Sequence, residues 1–211
     1  MYSEHQPLIA QFAQASPEGL ARIIQFALLS ARVKFYNMPS DFDAALQGDP
    51  GTLYGHKGPG FNLAWVDREA NHWNALDAYN HAWDECDRAN RVLLYFAGLP
   101  ALGVVKAGFV AQMAFGLSGC IDTHNVKRFG VCQKTIRNWQ NFKKKSPTVR
   151  RQYVDAYNAV IDAQGGSATL WDGWCTYLHA LNPKAYNSPD DVSAIHLCIL
   201  DQPLTEREYH D

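Results

Sequence analysis

The sequence has little of the features that mark membrane-spanning, secreted or β-sheet proteins. No uninterrupted apolar run approaches the ~18 residues of a membrane-spanning helix, and no basic segment followed by a long apolar stretch opens the chain. The alternation of apolar and polar residues that is typical of a half-buried strand is scarce. We therefore expect no membrane association, no secretory signal and an all-α fold.

The cysteines also lack the spacing of a metal site or a disulfide framework. They are odd in number and no two form a C-x-x-C pair. The five positions are Cys86, Cys120, Cys132, Cys175 and Cys198. Dispersed thiols are typical of a reducing compartment, and no ligand of suitable spacing accompanies His124. We therefore expect a cytoplasmic protein with no bound metal and no cofactor.

What the chain does contain is a long apolar helix near its middle. Residues Val104–Phe115 are apolar almost all round, with only Lys106 and Gln112 as interruptions, which indicates a buried helix. Gly116 stands where a helix of this length ends. The segment Leu99–Gly103, with the sequence LPALG, predicts a tight turn between this helix and the preceding one.

The remaining segments are mostly helical in pattern. Residues 1–15 are weakly patterned and are expected to form an arm, whereas Ser16-Pro17-Glu18 is a typical helix start. Residues 37–62 are rich in glycine and proline, so we expect an irregular loop without a long regular element. Residues 63–97 predict helices whose large aromatic side chains belong to the core. These are Trp65, Trp73 and Trp83.

Charge is distributed unevenly along the chain, although its sum is only −2. No Asp or Glu lies between Thr123 and Val154, and nine of the nineteen basic residues lie in that interval. This cationic segment consists of Lys127, Arg128, Lys134, Arg137, Lys143, Lys144, Lys145, Arg150 and Arg151. Such a segment is either the footprint of a polyanion or a solvated helix face.

Four short motifs give the chain a resemblance to a known superfamily. They are Leu99-Pro100 with Gly103, Ala114-Phe115-Gly116, Ile121-Asp122-Thr123-His124, and Leu28-Leu29-Ser30-Ala31-Arg32. In this order and spacing they resemble the helix-hairpin-helix DNA glycosylase superfamily, the group that includes endonuclease III. The matches cover about a quarter of the chain directly, and their combination is more specific than any one of them.

The resemblance implies a single domain over residues 1–211 that has two helical lobes flanking a DNA-binding cleft. About residues 16–35 and the C-terminal helices would form one lobe. About residues 63–164 would form the other, with the hairpin at 91–116. The four-cysteine iron–sulfur loop of many endonuclease III relatives is absent from this sequence.

The resemblance also implies that Asp122 is the catalytic residue. A carboxylate beside the anomeric carbon stabilises the positive charge that develops on the sugar as the glycosidic bond breaks. Thr123, His124 and Asn125 would support the motif. The alternative is that Asp122 only caps the helix that begins at Thr123.

DNA contacts are expected mainly from the hairpin. Backbone amides of Leu102, Gly103 and Val104, at the start of a helix, would bind phosphate. The superfamily usually has a glycine where Ala101 stands, and Lys106 is expected to compensate by reaching a phosphate. The cationic residues Lys127, Arg128, Lys143, Lys144 and Lys145 are candidate phosphate ligands too.

Two further positions depart from the superfamily. The nucleophilic lysine of the strand-cleaving members aligns with Val105. Lys106 is one residue on, turned by about 100°, and is therefore expected to point elsewhere. Arg32 replaces a glutamine that enters the duplex at the vacated base, so it is expected to stack there or bind phosphate, unless it is merely a solvent-facing arginine.

Three functions remain open from the sequence. The first is a glycosylase without lyase activity that flips a modified or damaged base and hydrolyses its N-glycosidic bond. The second, on the same scaffold, is a bacteriophage transferase that attaches an amino acid or polyamine to activated 5-hydroxymethyl thymine in DNA. The third is a DNA-binding module without catalytic activity.

Overall fold

The computed structural model describes residues 2–30, 33–48, 57–131, 135 and 139–201, and within these ranges the chain is helical and has no strand. The prediction of an all-α fold is confirmed. The helices are α1 (Tyr2–Ala15), α2 (Pro17–Leu29), α3 (Met38–Leu46), α4 (Lys57–Val66), α5 (Arg68–Asn80), α6 (Glu85–Gly98), α7 (Val104–Phe115), α8 (Thr123–Phe129), α9 (Pro147–Ala163), α10 (Gly166–Leu181) and α11 (Pro189–Ala194). Short 3-10 turns lie at Phe35–Asn37, Phe142–Lys144 and Ile195–Ile199.

The apolar helix α7 is the centre of the packing. Ten of its twelve residues are buried, and α1, α2 and α6 pack directly around it. The buried side chains form one continuous hydrophobic cluster that extends from Ile9 in α1 to Ile199 near the end of the described chain. A helix that is apolar on all faces requires this central position, because every face must be removed from water.

Side-chain caps and glycines fix the helix ends where the sequence indicates. Ser16 Oγ accepts a hydrogen bond of 3.0 Å from Gly19 N at the start of α2, and Ser146 Oγ accepts one from Val149 N at the start of α9. Gly116 ends α7 with φ of 70°, a conformation that glycine adopts without steric cost. The bounds expected for α7 are confirmed.

The expectation of an N-terminal arm is wrong, because residues Tyr2–Ala15 form α1. Tertiary contacts stabilise this helix. Gln14 Nε2 donates to Ala114 O at 2.9 Å, and Gln6 Nε2 donates to Met113 O at 3.3 Å. These two glutamines satisfy carbonyl groups at the end of α7, which have no partner inside their own helix. The weak sequence pattern of α1 concealed contacts that only the folded chain supplies.

Two other expectations need correction. The segment 37–62 contains α3, because Pro39 occupies the first turn of the helix and no other proline or glycine follows before Gly48. Trp65 is buried as expected, but Trp73 is 65% exposed and Trp83 is 89% exposed, so these two aromatic side chains are not part of the core. None of the described helices is long and apolar enough to cross a membrane.

Candidate functional site

The hairpin turn Leu99–Gly103 joins α6 to α7, as the sequence predicts. Leu99 N donates to Phe96 O, and Leu102 N donates to Pro100 O at 2.8 Å, which closes the turn. Leu102 and Val104 are buried, whereas Gly103 between them is exposed. Gly103 has no side chain to cap α7, so the first amides of this twelve-residue helix are not capped by the N-terminal residue.

Ala101 takes the left-handed backbone conformation, with φ of 60°. The superfamily that the motifs resemble usually has glycine at this position, and alanine at positive φ carries the strain of a methyl group. Gly60 in α4 makes room for that methyl group, because a Cβ atom built on Gly60 would lie 2.4 Å from Ala101 Cβ. The two positions are therefore coupled sterically.

The cationic segment adjoins the hairpin. Lys143 Nζ donates to the carbonyl group of Leu99, and Arg150 Nη2 donates to Lys143 O at 2.5 Å. Burial and the neighbouring Arg150 lower the pKa of Lys143. Lys144 is exposed next to this contact, and Lys145 is partly exposed. Lys143 thus fixes the hairpin, and the positive charges around it lie on the same side of the molecule as the turn.

Asp122 caps α8, and both of its carboxylate oxygens accept hydrogen bonds. Its Oδ1 accepts hydrogen bonds from His124 N at 3.0 Å and Asn125 N at 2.9 Å. Its Oδ2 accepts one from Trp174 Nε1 in α10 at 3.2 Å. All three partners are donors, which suits an ionised carboxylate. Asp122 therefore has the capping role that the sequence indicates as an alternative. The same hydrogen bonds orient its carboxylate and leave the residue partly exposed.

A groove runs past Asp122 between two sets of elements. One wall comes from the end of α2, the turn at Phe35 and the C-terminal half of α10. The other wall comes from the start of α7, the loop before α8 and the segment at Trp139. The groove has a volume of about 940 Å³. Gly103, Val104 and Val105 lie on it, so the hairpin and Asp122 border the same groove.

Behind the groove lies a smaller cavity with a volume of about 60 Å³. Five residues line both spaces, and they form the junction between groove and cavity. These five residues are Ser30, Phe35, Lys106, Asp122 and Trp174. Phe109, Gln112, Trp171 and His196 line the cavity but not the groove. The cavity thus combines large aromatic side chains with polar and charged groups.

The expectation that Lys106 does not take the position of the lyase lysine stays a prediction, but its side chain does reach the cavity beside Asp122. Lys106 lines the same cavity as Asp122, and its Nζ donates to Ser30 Oγ at 2.7 Å. One helical step turns the Lys106 side chain away from the direction of Val105. In its own direction the side chain meets the end of α2 and the loop before α8. The position of neighbouring helices, which a helical wheel does not contain, decides where the ammonium group lies.

The residues that follow Asp122 have structural partners. Asn125 is buried, and its Nδ2 donates to Cys120 O at 2.7 Å, which fixes the loop before α8. The His124 ring lies 5.4 Å from the Tyr177 ring. Arg128 Nη1 donates to Asn125 Oδ1 at 2.8 Å. In contrast, Thr123 and Lys127 are exposed.

The sequence analysis missed Trp174 and His196, which the fold brings to Asp122 from α10 and the turn after α11. Trp174 is one of six tryptophans in the chain, and His196 is one of eight histidines. Neither stands in a local motif with Asp122, so no signal in the sequence identified them. Arg32, the candidate for the space left by a base, lies outside the described residues.

Burial dominates the protonation of the groups around the cavity. It lowers the pKa of His196 to about 3, so the imidazole is neutral at pH 7. Burial, with the Asp122 carboxylate as a second cause, raises the pKa of the Cys120 thiol to about 12. Cys120 is therefore a thiol rather than a nucleophilic thiolate. Among the described residues, no three His, Cys, Asp or Glu side chains are grouped so as to hold a metal ion.

Comparison of the chain with protein-family models, with curated proteins and with solved structures gives no match. The functional argument therefore depends on the geometry of the groove and cavity, together with the motifs in the sequence.

Proposed function

We propose that this chain is a DNA-base-processing enzyme of the helix-hairpin-helix glycosylase type. It draws one modified or damaged base out of the duplex and hydrolyses the N-glycosidic bond of that nucleotide, without cutting the strand. The observation that carries this proposal is the position of Asp122, which lies at the junction between an open groove and an aromatic cavity. A nucleotide whose backbone lies in the groove and whose base enters the cavity places its sugar beside this carboxylate.

The chemistry of Asp122 suits that position. Cleavage of a glycosidic bond leaves positive charge on the anomeric carbon, and a fixed carboxylate stabilises it without reorganising during the reaction. The hydrogen bonds from His124 N, Asn125 N and Trp174 Nε1 hold the carboxylate in place before the substrate arrives. Such preorganisation is the main requirement for electrostatic catalysis.

The DNA-binding side of the proposal is supported by the hairpin and the cationic segment. A helix N-terminus offers backbone amides and a positive dipole to a phosphate, and the exposed Gly103 lets the phosphate approach closely. Lys144 and Lys145 add positive charge close to the same turn, because Lys143 contacts Leu99. In this proposal the two walls of the groove correspond to the two lobes of the superfamily.

The groove and the cavity behind it together suit a flipped base. The groove has a volume of about 940 Å³, within the range of about 300–1,000 Å³ that is usual for small-molecule pockets, and the cavity adds about 60 Å³. Aromatic walls stack on the faces of a planar ring and replace the stacking that the base had in the duplex. Phe35, Phe109 and Trp171 supply such walls.

Mass spectrometry of DNA incubated with the protein tests the proposal. Both phage and bacterial genomic DNA serve as substrates, and the Asp122→Asn protein is the matched control. Release of a free base by the unaltered protein alone supports excision. A mass gain on a thymine-derived nucleotide would replace hydrolysis by group transfer at the same site. DNA that is bound but chemically unchanged would reduce the chain to a binding module.

A further inference from the structure

His196 is a deeply buried polar residue of the cavity. It is 1% exposed, and it lines the cavity but not the groove. The ring lies 4.3 Å from the Trp171 ring and 5.1 Å from the Phe35 ring, measured between centroids. These contacts fix the imidazole, so it cannot turn to find another partner without displacing the aromatic wall.

The two ring nitrogens of His196 have different surroundings. Nδ1 lies 2.9 Å from the carbonyl oxygen of Ser193, which only accepts hydrogen bonds, so Nδ1 carries the proton. Nε2 is buried and has no hydrogen-bond partner among the residues that the structure describes. Because the ring is neutral, Nε2 is an unprotonated acceptor. A buried acceptor without a donor costs about 1–3 kcal/mol, which an occupant of the cavity recovers by donating to it.

The cavity already contains one positive charge. The Lys106 ammonium group lies 5.5 Å from the centroid of the Phe109 ring and donates to Ser30 Oγ. It therefore occupies the electron-rich face of one aromatic wall, where a cationic occupant would otherwise gain most. The Asp122 carboxylate lines the same cavity, so the two charges offset each other and the charge of an occupant does not decide whether it binds.

Resting on the function proposed above, we infer that the cavity selects a base that donates an N–H or O–H hydrogen bond to His196 Nε2. His196 in this role is a specificity-determining residue, since it contacts the base and not the sugar. The Asp122 carboxylate remains the group that faces the reacting bond.

The test compares DNA duplexes of one sequence that differ at a single base. The four bases are uracil, 5-hydroxymethyluracil, N3-methyluracil and N3-methylthymine. The first two donate through N3–H, and the other two are methylated at N3 and cannot donate. Affinity is measured by titration, and base extrusion is measured by the fluorescence of a neighbouring 2-aminopurine.

We expect the uracil and 5-hydroxymethyluracil duplexes to bind and to extrude their base about 10-fold better than the other two, because a site with a buried acceptor discriminates against a ring that cannot donate. Equal affinity for all four duplexes, or a preference for the N3-methylated bases, overturns the inference. The proposed function is tested separately, since it fails if no free base is released from genomic DNA.

Two variants separate the acceptor from the packing. His196→Phe keeps an aromatic ring but removes Nε2, and His196→Gln keeps an acceptor oxygen. We expect His196→Phe to reduce the discrimination between uracil and N3-methyluracil to about 1-fold, and His196→Gln to retain most of it. If both variants discriminate as the unaltered protein does, His196 has no role in selection. Thermal unfolding of each variant verifies that it is folded, and the comparison of the four duplexes stands on the unaltered protein in any case.

Discussion

The hairpin and the cavity are assembled in different ways. The hairpin Leu99–Gly103 is made of residues that are adjacent in the sequence, and its turn is closed by backbone hydrogen bonds between neighbouring residues. The cavity collects side chains from Ser30 in the first part of the chain to His196 near its described end. The hairpin can therefore be recognised in the sequence as a motif, whereas the cavity forms only when α2, α7 and α10 pack together.

The two regions also differ in the forces that shape them. The hairpin presents backbone amides and surrounding positive charges to the groove, so its interactions depend on salt. The cavity is aromatic, and its few polar groups act in a medium of low dielectric constant, where each hydrogen bond counts for more. Substitutions in the cavity are accordingly expected to change chemistry and selection, and substitutions at the hairpin to change affinity.

The largest effect is expected from Asp122→Asn. Asparagine still accepts hydrogen bonds from the amides of His124 and Asn125, so α8 keeps its cap and the protein folds. Loss of a preorganised charge is worth roughly 10²–10³-fold in rate. Single-turnover rates on the processed DNA measure the loss, and DNA affinity should stay equal or rise. Unimpaired turnover by a folded Asp122→Asn protein would restrict Asp122 to helix capping.

The next effect concerns the contact between α4 and the hairpin. Gly60→Ala brings two methyl carbons within 2.4 Å, so one element must move. Overpacking of this kind costs typically about 1–3 kcal/mol, and we expect the upper part of that range. The double variant Gly60→Ala with Ala101→Gly removes the clash and relieves the positive φ of residue 101.

Chemical denaturation of the single and double variants measures the coupling in a double-mutant cycle. A free energy of unfolding that is lowered equally in both variants would show that the two positions are independent.

We expect acid to lower the free energy of unfolding through His196 in the cavity, and not through the hairpin. In the unfolded chain His196 is protonated below its ordinary pKa of about 6.5. In the folded protein the imidazole stays neutral until the pH approaches its pKa of about 3. The free energy of unfolding therefore falls as the pH drops through that window. Between pH 7 and pH 5 the loss is about 2 kcal/mol.

Denaturation at both pH values, in the unaltered protein and in His196→Phe, isolates this contribution. The variant should lack that part of the pH dependence. An identical pH dependence in the two proteins would mean that His196 is protonated in the folded state as readily as in the unfolded chain.

A smaller effect is expected at the surface beside the hairpin. We predict that Lys144→Glu with Lys145→Glu weakens DNA binding and lowers the salt dependence by about 0.9 for each phosphate that the variant no longer neutralises. Lys143→Glu should do the same and also disturb the turn, because Lys143 donates to Leu99. Lys184→Glu is the control, since Lys184 is exposed and lies outside the cationic segment. Salt titrations in which the control behaves like the double variant would assign only general electrostatics to these lysines.

The last prediction is the absence of an effect. Val105 stands at the position of the lyase lysine, and Lys106 donates its ammonium group to Ser30 Oγ. We therefore expect no strand cleavage by β-elimination and no covalent complex after borohydride treatment. Trapping that disappears in the Lys106→Arg variant would contradict this expectation and make Lys106 a nucleophile.

The sequence by itself determined the local features of this protein. The apolar pattern of α7, the cap at Ser16, the turn at Leu99–Gly103 and the position of Asp122 before α8 are all confirmed in the structure. Each depends on residues within one or two helical turns of one another, so residues that are adjacent in the sequence are sufficient to predict it.

Only the tertiary structure decided what surrounds Asp122. The contact from Trp174, the direction of Lys106 and the unpartnered nitrogen of His196, within the described part of the chain, depend on how distant helices pack. The same holds for α1, which its contacts with α7 stabilise more than its own pattern indicates. Packing sets these features because burial and hydrogen bonding act between atoms that are close in space, whatever their separation along the chain.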